Sequence, residues 1–221
     1  MSIQKRHISD QVLAFLRKKI MLRELKEGDH LKESDLSKKL NVSRGPIREA
    51  IAKLETEGLV ETPSNGRTVV GKFSIEDIKN LYDIRILLEK HALTQINAEQ
   101  LEGKKYLLYS YVDQMQYSYN KEIRDIESDL AFHALLVDLT NNKTLIQLWN
   151  SLQGVILTLI DVTSEFVQLH QQEIIEEHRV ILDALVNGDF EKAQEFLCRH
   201  LEGASTYYSS AVVNLNKGGE K

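Results

Sequence analysis

The chain carries two prolines, Pro46 and Pro63, and none after residue 63 of 221. A proline inside a helix removes a hydrogen bond and clashes with the preceding turn, so the long remainder is free to be helical throughout. From Ser74 onward apolar residues recur at helical spacing, and no alternating strand pattern competes. Gly103, Asn141-Asn142 and Asn187-Gly188 punctuate the pattern. It predicts six helices, at roughly 75–100, 104–119, 122–140, 143–167, 170–187 and 189–214, joined by short connections into an all-α bundle.

The first 72 residues read differently. Ile8, Val12, Phe15, Leu16 and Ile20 form one apolar stripe of a helix over Ile8–Leu22. A short helix follows at about Ser34–Leu40, then Asn41-Val42 as a tight connection. Ser43 stands as an N-cap, Pro46 in the first turn, and the helix from Arg44 to about Glu57 buries Ile47, Ile51 and Leu54 before Gly58 ends it. Leu59–Thr62 and Arg67–Val70 flank an Asn65-Gly66 turn, the signature of a hairpin. Helix, short helix, tight turn, helix, hairpin is a winged helix-turn-helix. The expected fold is therefore mainly α, with a winged helix-turn-helix at 1–72 and a six-helix bundle at 73–221.

Charge divides along the same line. Residues 1–72 hold 15 Lys+Arg against 10 Asp+Glu, and residues 73–221 hold 13 against 23. The front part has the sign that phosphate attracts and the rear part the sign it repels. No apolar run of the length of a membrane span is apparent, the N-terminal MSIQKRHISD lacks the apolar core of a secretion signal, and the single cysteine, Cys198, forms no intrachain disulfide. A cytoplasmic protein with no membrane partner is the expectation.

Within the front part, Arg44 and Arg48 lie four apart on the second helix of the motif, opposite Ile47, Ile51 and Leu54. That leaves both guanidiniums free for a major groove, where arginine reads guanine O6 and N7. Ser43 and the helix N-terminus suit a phosphate, and Gly66-Arg67 at the wing tip combines close backbone approach with positive charge. LKESDLSKKLNVSRGPIREAIAKLETEGLVETPSNGRTVV, residues 31–70, resembles the DNA-binding domain of the GntR family of bacterial regulators. L-x-E-x-x-L-[AS], S-R-x-P-[IV]-R-E-A-[IL], L-x-x-E-G-L-V and the wing glycine all stand in order. The resemblance implies double-stranded operator DNA as partner, with Ser43, Arg44, Arg48 and Gly66 as contacts. A basic residue that some relatives carry in the short helix is replaced here by Ser34 or Asp35.

In the rear part, Asp129 and His133 are four apart on one helix, and His178 and His200 lie on two later ones. One carboxylate and three imidazoles suit a divalent first-row metal such as zinc, nickel or manganese. Buried, hydrogen-bonded histidines are the alternative that spacing leaves open. Phe132, Leu135, Leu136, Ile181 and Leu197 would supply an apolar shell. With Arg85 and Glu89 in R-x-x-x-E, the D-x-x-x-H pair and the two later histidines, this part resembles the FCD domain of the FadR branch, in its shorter VanR-like form. That resemblance implies a metal held by Asp129, His133, His178 and His200, and a small organic acid that completes its coordination. Arg85 could pair with the effector carboxylate or, by spacing alone, with Glu89.

The combined expectation is a homodimeric transcriptional regulator, a repressor by family habit, and not an enzyme. Its operator affinity would be controlled by a carboxylate effector at the metal centre. The competing readings are a direct metal sensor, a bundle with a structural metal, and a metal-dependent hydrolase.

Overall fold

The computed structural model describes residues 8–64, 66–167 and 170–218. The chain folds into two compact units, Met1–Ser74 with Leu215–Lys221, and Ile75–Asn214.

The first unit contains α1 (Ile8–Met21), α2 (Glu33–Leu40), α3 (Arg44–Thr56), β1 (Val60–Glu61) and β2 (Val69–Val70). The apolar stripe of α1 packs on α3, and Leu16, Ile47 and Leu54 are fully enclosed. Burying such a side chain stabilises the fold by about 1.5–3 kcal/mol. Asn41 ends α2 in the left-handed region, at φ 52°, and Ser37 Oγ donates to the Val42 carbonyl at 2.7 Å. The chain therefore turns sharply into α3. Gly58, at φ +71°, turns it again into β1. β1 and β2 pair antiparallel with Val60 opposite Val70, and His30 adds a bridge to Val69. The expected Asn-Gly turn of the wing falls partly on Asn65, which lies outside the described residues. Ser43 has the extended backbone of an N-cap, but its side chain makes no capping hydrogen bond.

The second unit comprises α4 (Ile75–Gln95), α5 (Ala98–Glu102), α6 (Lys105–Tyr119), α7 (Ile126–Asp138), α8 (Lys143–Val167), α9 (Gln171–Val186) and most of α10 (Phe190–Gly218). Among the described residues this makes seven helices where periodicity predicts six. The helix expected over 75–100 breaks because Asn97 caps a new one: its side chain accepts from Gln100 N at 2.8 Å, and Gln100 accepts from Asn97 N at 3.1 Å. The helix expected over 122–140 starts later, since Glu122 sits at φ 61° and Asp125 caps Ser128 N at 2.9 Å. Residues 121–125 are thus a turn.

α6 packs on α7 and α9, and α7 and α8 pack on α4. α8 differs from the sequence expectation: Lys143–Phe166 is long and apolar enough to span a membrane by composition, with mean hydropathy 1.3. Much of it is buried, with Trp149 against Ala92, Val137 and Leu145. An apolar helix that packs inside a bundle passes the same compositional test.

Candidate metal centre and DNA-reading surface

α7, α9 and α10 bring His133, His178 and His200 together, with one ring nitrogen of each within 4.8 Å of the others. Asp129, one turn before His133, places Oδ1 3.4 Å from His178 Nε2 and 3.6 Å from His133 Nε2. All four residues are buried. Phe132 stands edge-on to His133 and His178, and Leu136, Ile181 and Leu197 are fully enclosed; Leu135 and Cys198 are only half-buried.

Each imidazole is oriented by its other nitrogen. His178 Nδ1 donates to the Ile174 carbonyl at 2.7 Å, an acceptor only, so this nitrogen carries the proton. His133 Nδ1 donates to Glu89 Oε2 at 2.5 Å, and His200 Nδ1 to Glu177 Oε2 at 2.8 Å. A ring that donates from Nδ1 in this tautomer keeps its Nε2 lone pair for a cation. His133 Nε2 and His178 Nε2 stand 3.1 Å apart, with Asp129 beside them. Converging lone pairs and a carboxylate repel unless a cation lies among them. The donor set therefore fits a divalent metal ion, with the acceptor shell that metal-bound histidines use.

The surrounding charges favour that state. Burial, opposed in part by Glu89, depresses His133 to about 4. Burial and neighbouring His178 depress His200 to about 3, so both rings remain neutral and competent as ligands near neutral pH. Burial alone would raise the Asp129 carboxyl, but His178, His133 and Arg85 outweigh it and hold it below the ordinary carboxylate range. Glu89 is lowered likewise, burial being overcome by His133, Arg85 and the Trp149 hydrogen bond.

Arg85 pairs with Glu89 as its spacing suggests, and one arm of its fork is left over. Its Nε donates to Glu89 Oε1 at 2.7 Å, giving a fully buried i,i+4 pair. Its Nη1 lies 3.5 Å from Tyr82 Oη, and its Nη2 is buried with no hydrogen-bond partner among the described residues. Sequence reasoning named Glu89 only as the partner of Arg85, and gave Glu177 and Trp149 no place in this shell. Glu89 is a shared acceptor for Arg85, His133 and Trp149 Nε1, the last at 3.0 Å. Glu177 sits one helix position from His178 yet orients His200. Trp149 carries no sequence signal, since its partner lies 60 residues away in the chain.

In the first unit, Ser43, Arg44, Arg48, Gly66 and Arg67 are all exposed. Arg48 is not the free guanidinium that its spacing suggests. Its Nε and Nη2 donate to Glu33 Oε1 and Oε2 of α2, at 3.0 and 2.9 Å. The fork is therefore held across the helix-turn-helix by the glutamate of the L-x-E-x-x-L stretch. Gly66 at φ +71° gives the wing a conformation that side chains with a Cβ resist.

A winged helix-turn-helix and a helical unit around three converging histidines define a two-part regulator of DNA binding. The chain belongs to the GntR family: residues 8–70 match the bacterial regulatory proteins of the gntR family, and residues 80–203 match the FCD domain. It is thus a transcriptional regulator and not an enzyme. The HTH-type transcriptional regulator YdhC of Bacillus subtilis is 28% identical over 84% of each chain. The gluconate operon transcriptional repressor of the same organism is 26% identical over 79% of this chain and 74% of its own. Among solved structures, a GntR regulator from Rhodococcus sp. RHA1 matches 90% of this chain and 96% of its own at 25% identity, with TM-score 0.64. The metal-free FCD domain of TM0439 shares the helical fold over 65% of this chain and 99% of its own, at 21% identity and TM-score 0.51.

Proposed function

We propose that the protein is a cytoplasmic, homodimeric repressor whose operator affinity is set by a small carboxylate at a divalent metal centre. Asp129, His133, His178 and His200 are the ligands and Arg85 the partner of the effector carboxylate. The observation that carries this reading is the convergence of one ring nitrogen from each of three buried histidines, each ring also held through Nδ1 by an acceptor. Zinc, nickel and manganese all accept such donors. When bound, the ion supplies Lewis-acid coordination for a carboxylate. Arg85 keeps its charge despite complete burial, and its unsatisfied Nη2 favours an anion.

The output end is the domain taken as residues 1–72, and the input end that taken as 73–221. Ser43 and the α3 N-terminus would take a phosphate, Arg44 and Arg48 base edges in the major groove, and Gly66-Arg67 the wing contact. Exposed Ile84 and Leu87 on α4 and Leu148 on α8 offer apolar surface for a second copy of the chain. A two-fold dimer would read an inverted repeat.

Fluorescence polarisation with DNA from upstream of the protein's own gene tests this, in zinc or in chelator and with a panel of small carboxylates. Salt-sensitive binding that a carboxylate weakens only in zinc is the expected result. Binding that zinc alone switches would replace the effector by direct metal sensing. Chelation that unfolds the helical unit would make the metal structural. The absence of salt-sensitive binding to any fragment would overturn the DNA-site assignment.

A further inference from the structure

Next to the histidine cluster stand two arginines that are each only partly satisfied. Arg85 Nη2 on α4 and Arg124 Nη1, in the turn before α7, are buried nitrogen atoms without a hydrogen-bond partner among the described residues. Ser209 Oγ on α10 is a third such atom. Two neighbouring tyrosines link the arginines. Arg85 Cζ lies 5.5 Å from the Tyr82 ring, the Tyr82 and Tyr208 rings are 5.8 Å apart, and Arg124 Cζ lies 5.8 Å from the Tyr208 ring. Arg124 Nη2 donates to Tyr208 Oη at 2.7 Å, which leaves the other arm of its fork unused. Both tyrosines are buried, and the Tyr208 hydroxyl feels Arg124, Asp129 and Arg85 together. This polar group therefore adjoins the metal centre.

Buried donors are nearly always paired, and an unpaired one costs about 1–3 kcal/mol, more when charged. Here two orphans, both on guanidiniums, belong to one group joined through Tyr82 and Tyr208. The charge count points the same way. With a divalent ion in place, Arg85 and Arg124 join it against the two carboxylates Glu89 and Asp129. Two positive charges are then uncompensated. Glu177 lies outside this count, since it remains 30% exposed beside His200. A monocarboxylate would cancel one of the two charges and leave the Arg124 orphan unpaired. A dicarboxylate would cancel both.

We infer that the effector is a small dicarboxylate, one carboxylate at the metal centre and Arg85, and the other on Arg124. This rests on the carboxylate-effector reading above. Arg124 is then the residue that selects diacids over monoacids. The turn at 121–125 that holds it exists because Glu122 adopts φ 61° and Asp125 caps α7.

Calorimetry on the zinc-loaded full chain tests it with three matched pairs: succinate and butyrate, glutarate and valerate, adipate and hexanoate. At least one diacid is expected to bind about ten- to a hundredfold more tightly than its partner, as a charge-assisted pair implies. Arg124→Gln should abolish that preference while the monoacid affinity stays within about threefold. The retained monoacid binding shows that the variant is folded. Equal affinities within every pair, or a preference that survives Arg124→Gln, would overturn the inference and leave the carboxylate reading intact. Failure of all six acids to bind would overturn both.

Discussion

Glu89 is the residue on which the metal centre most depends without belonging to its ligands. It accepts from Arg85 Nε at 2.7 Å, Trp149 Nε1 at 3.0 Å and His133 Nδ1 at 2.5 Å. Glu89→Gln keeps the shape but offers one oxygen and one NH2 group to three donors. With its oxygen toward Arg85 and Trp149, the amide NH2 faces His133 Nδ1–H. The ring escapes by moving its proton to Nε2, the atom that must be bare to bind metal. Loss of such an orienting acceptor lowers metal affinity about 10–100-fold, or about 1.4–2.7 kcal/mol. The apo protein also loses the charge partner of buried Arg85, a change worth about 3–5 kcal/mol when nothing compensates. The shifted His133 proton regains part of it by bonding to His178 Nε2, 3.1 Å away. Zinc titration of Glu89→Gln by competition with a chelating dye checks the first figure, and thermal unfolding in chelator the second. Trp149→Phe, which removes one donor and no charge, should change zinc affinity less than about threefold. A folded Glu89→Gln that binds zinc as tightly as the parent would refute the tautomer argument.

Three further outcomes follow from the same geometry. Trp149 is the only tryptophan in the chain and donates to the Glu89 carboxylate, so its emission should shift on zinc binding; a zinc titration by fluorescence with unchanged emission would contradict the coupling through Glu89. Glu57→Ala removes the bidentate acceptor of the buried Arg17 guanidinium, held at 2.6 and 2.9 Å, and should destabilise the DNA-binding unit by about 2–3 kcal/mol in denaturant unfolding. Arg44→Ala should cost operator binding about ten- to a hundredfold in polarisation assays and non-specific DNA much less, whereas an equal loss on both DNAs would make Arg44 a phosphate contact.

Individual residues mark how far local pattern reaches. The spacing of Arg85 and Glu89 predicts an ion pair, and the pair is present. That Glu89 also fixes His133, 44 positions along the chain, depends on how α4 meets α7, which no local pattern encodes. Arg48 shows the converse. Periodicity places it on the exposed face of α3, but its bond to Glu33 across 15 residues has no periodic signature. Arg124 hides inside an expected helix, because a left-handed Glu122 leaves no hydrophobic trace.

The family, the winged helix-turn-helix and the helical rear part can all be read from the amino-acid order, because helical periodicity, proline placement and cap residues act over a few positions of chain. Chemical type and spacing also single out Asp129, His133, His178 and His200. Their convergence, the tautomer of each ring and the positions of the unsatisfied arginine nitrogens emerge only once the helices are packed side by side. In that packing, a carboxylate dozens of residues away can fix a proton that the neighbouring sequence leaves undecided.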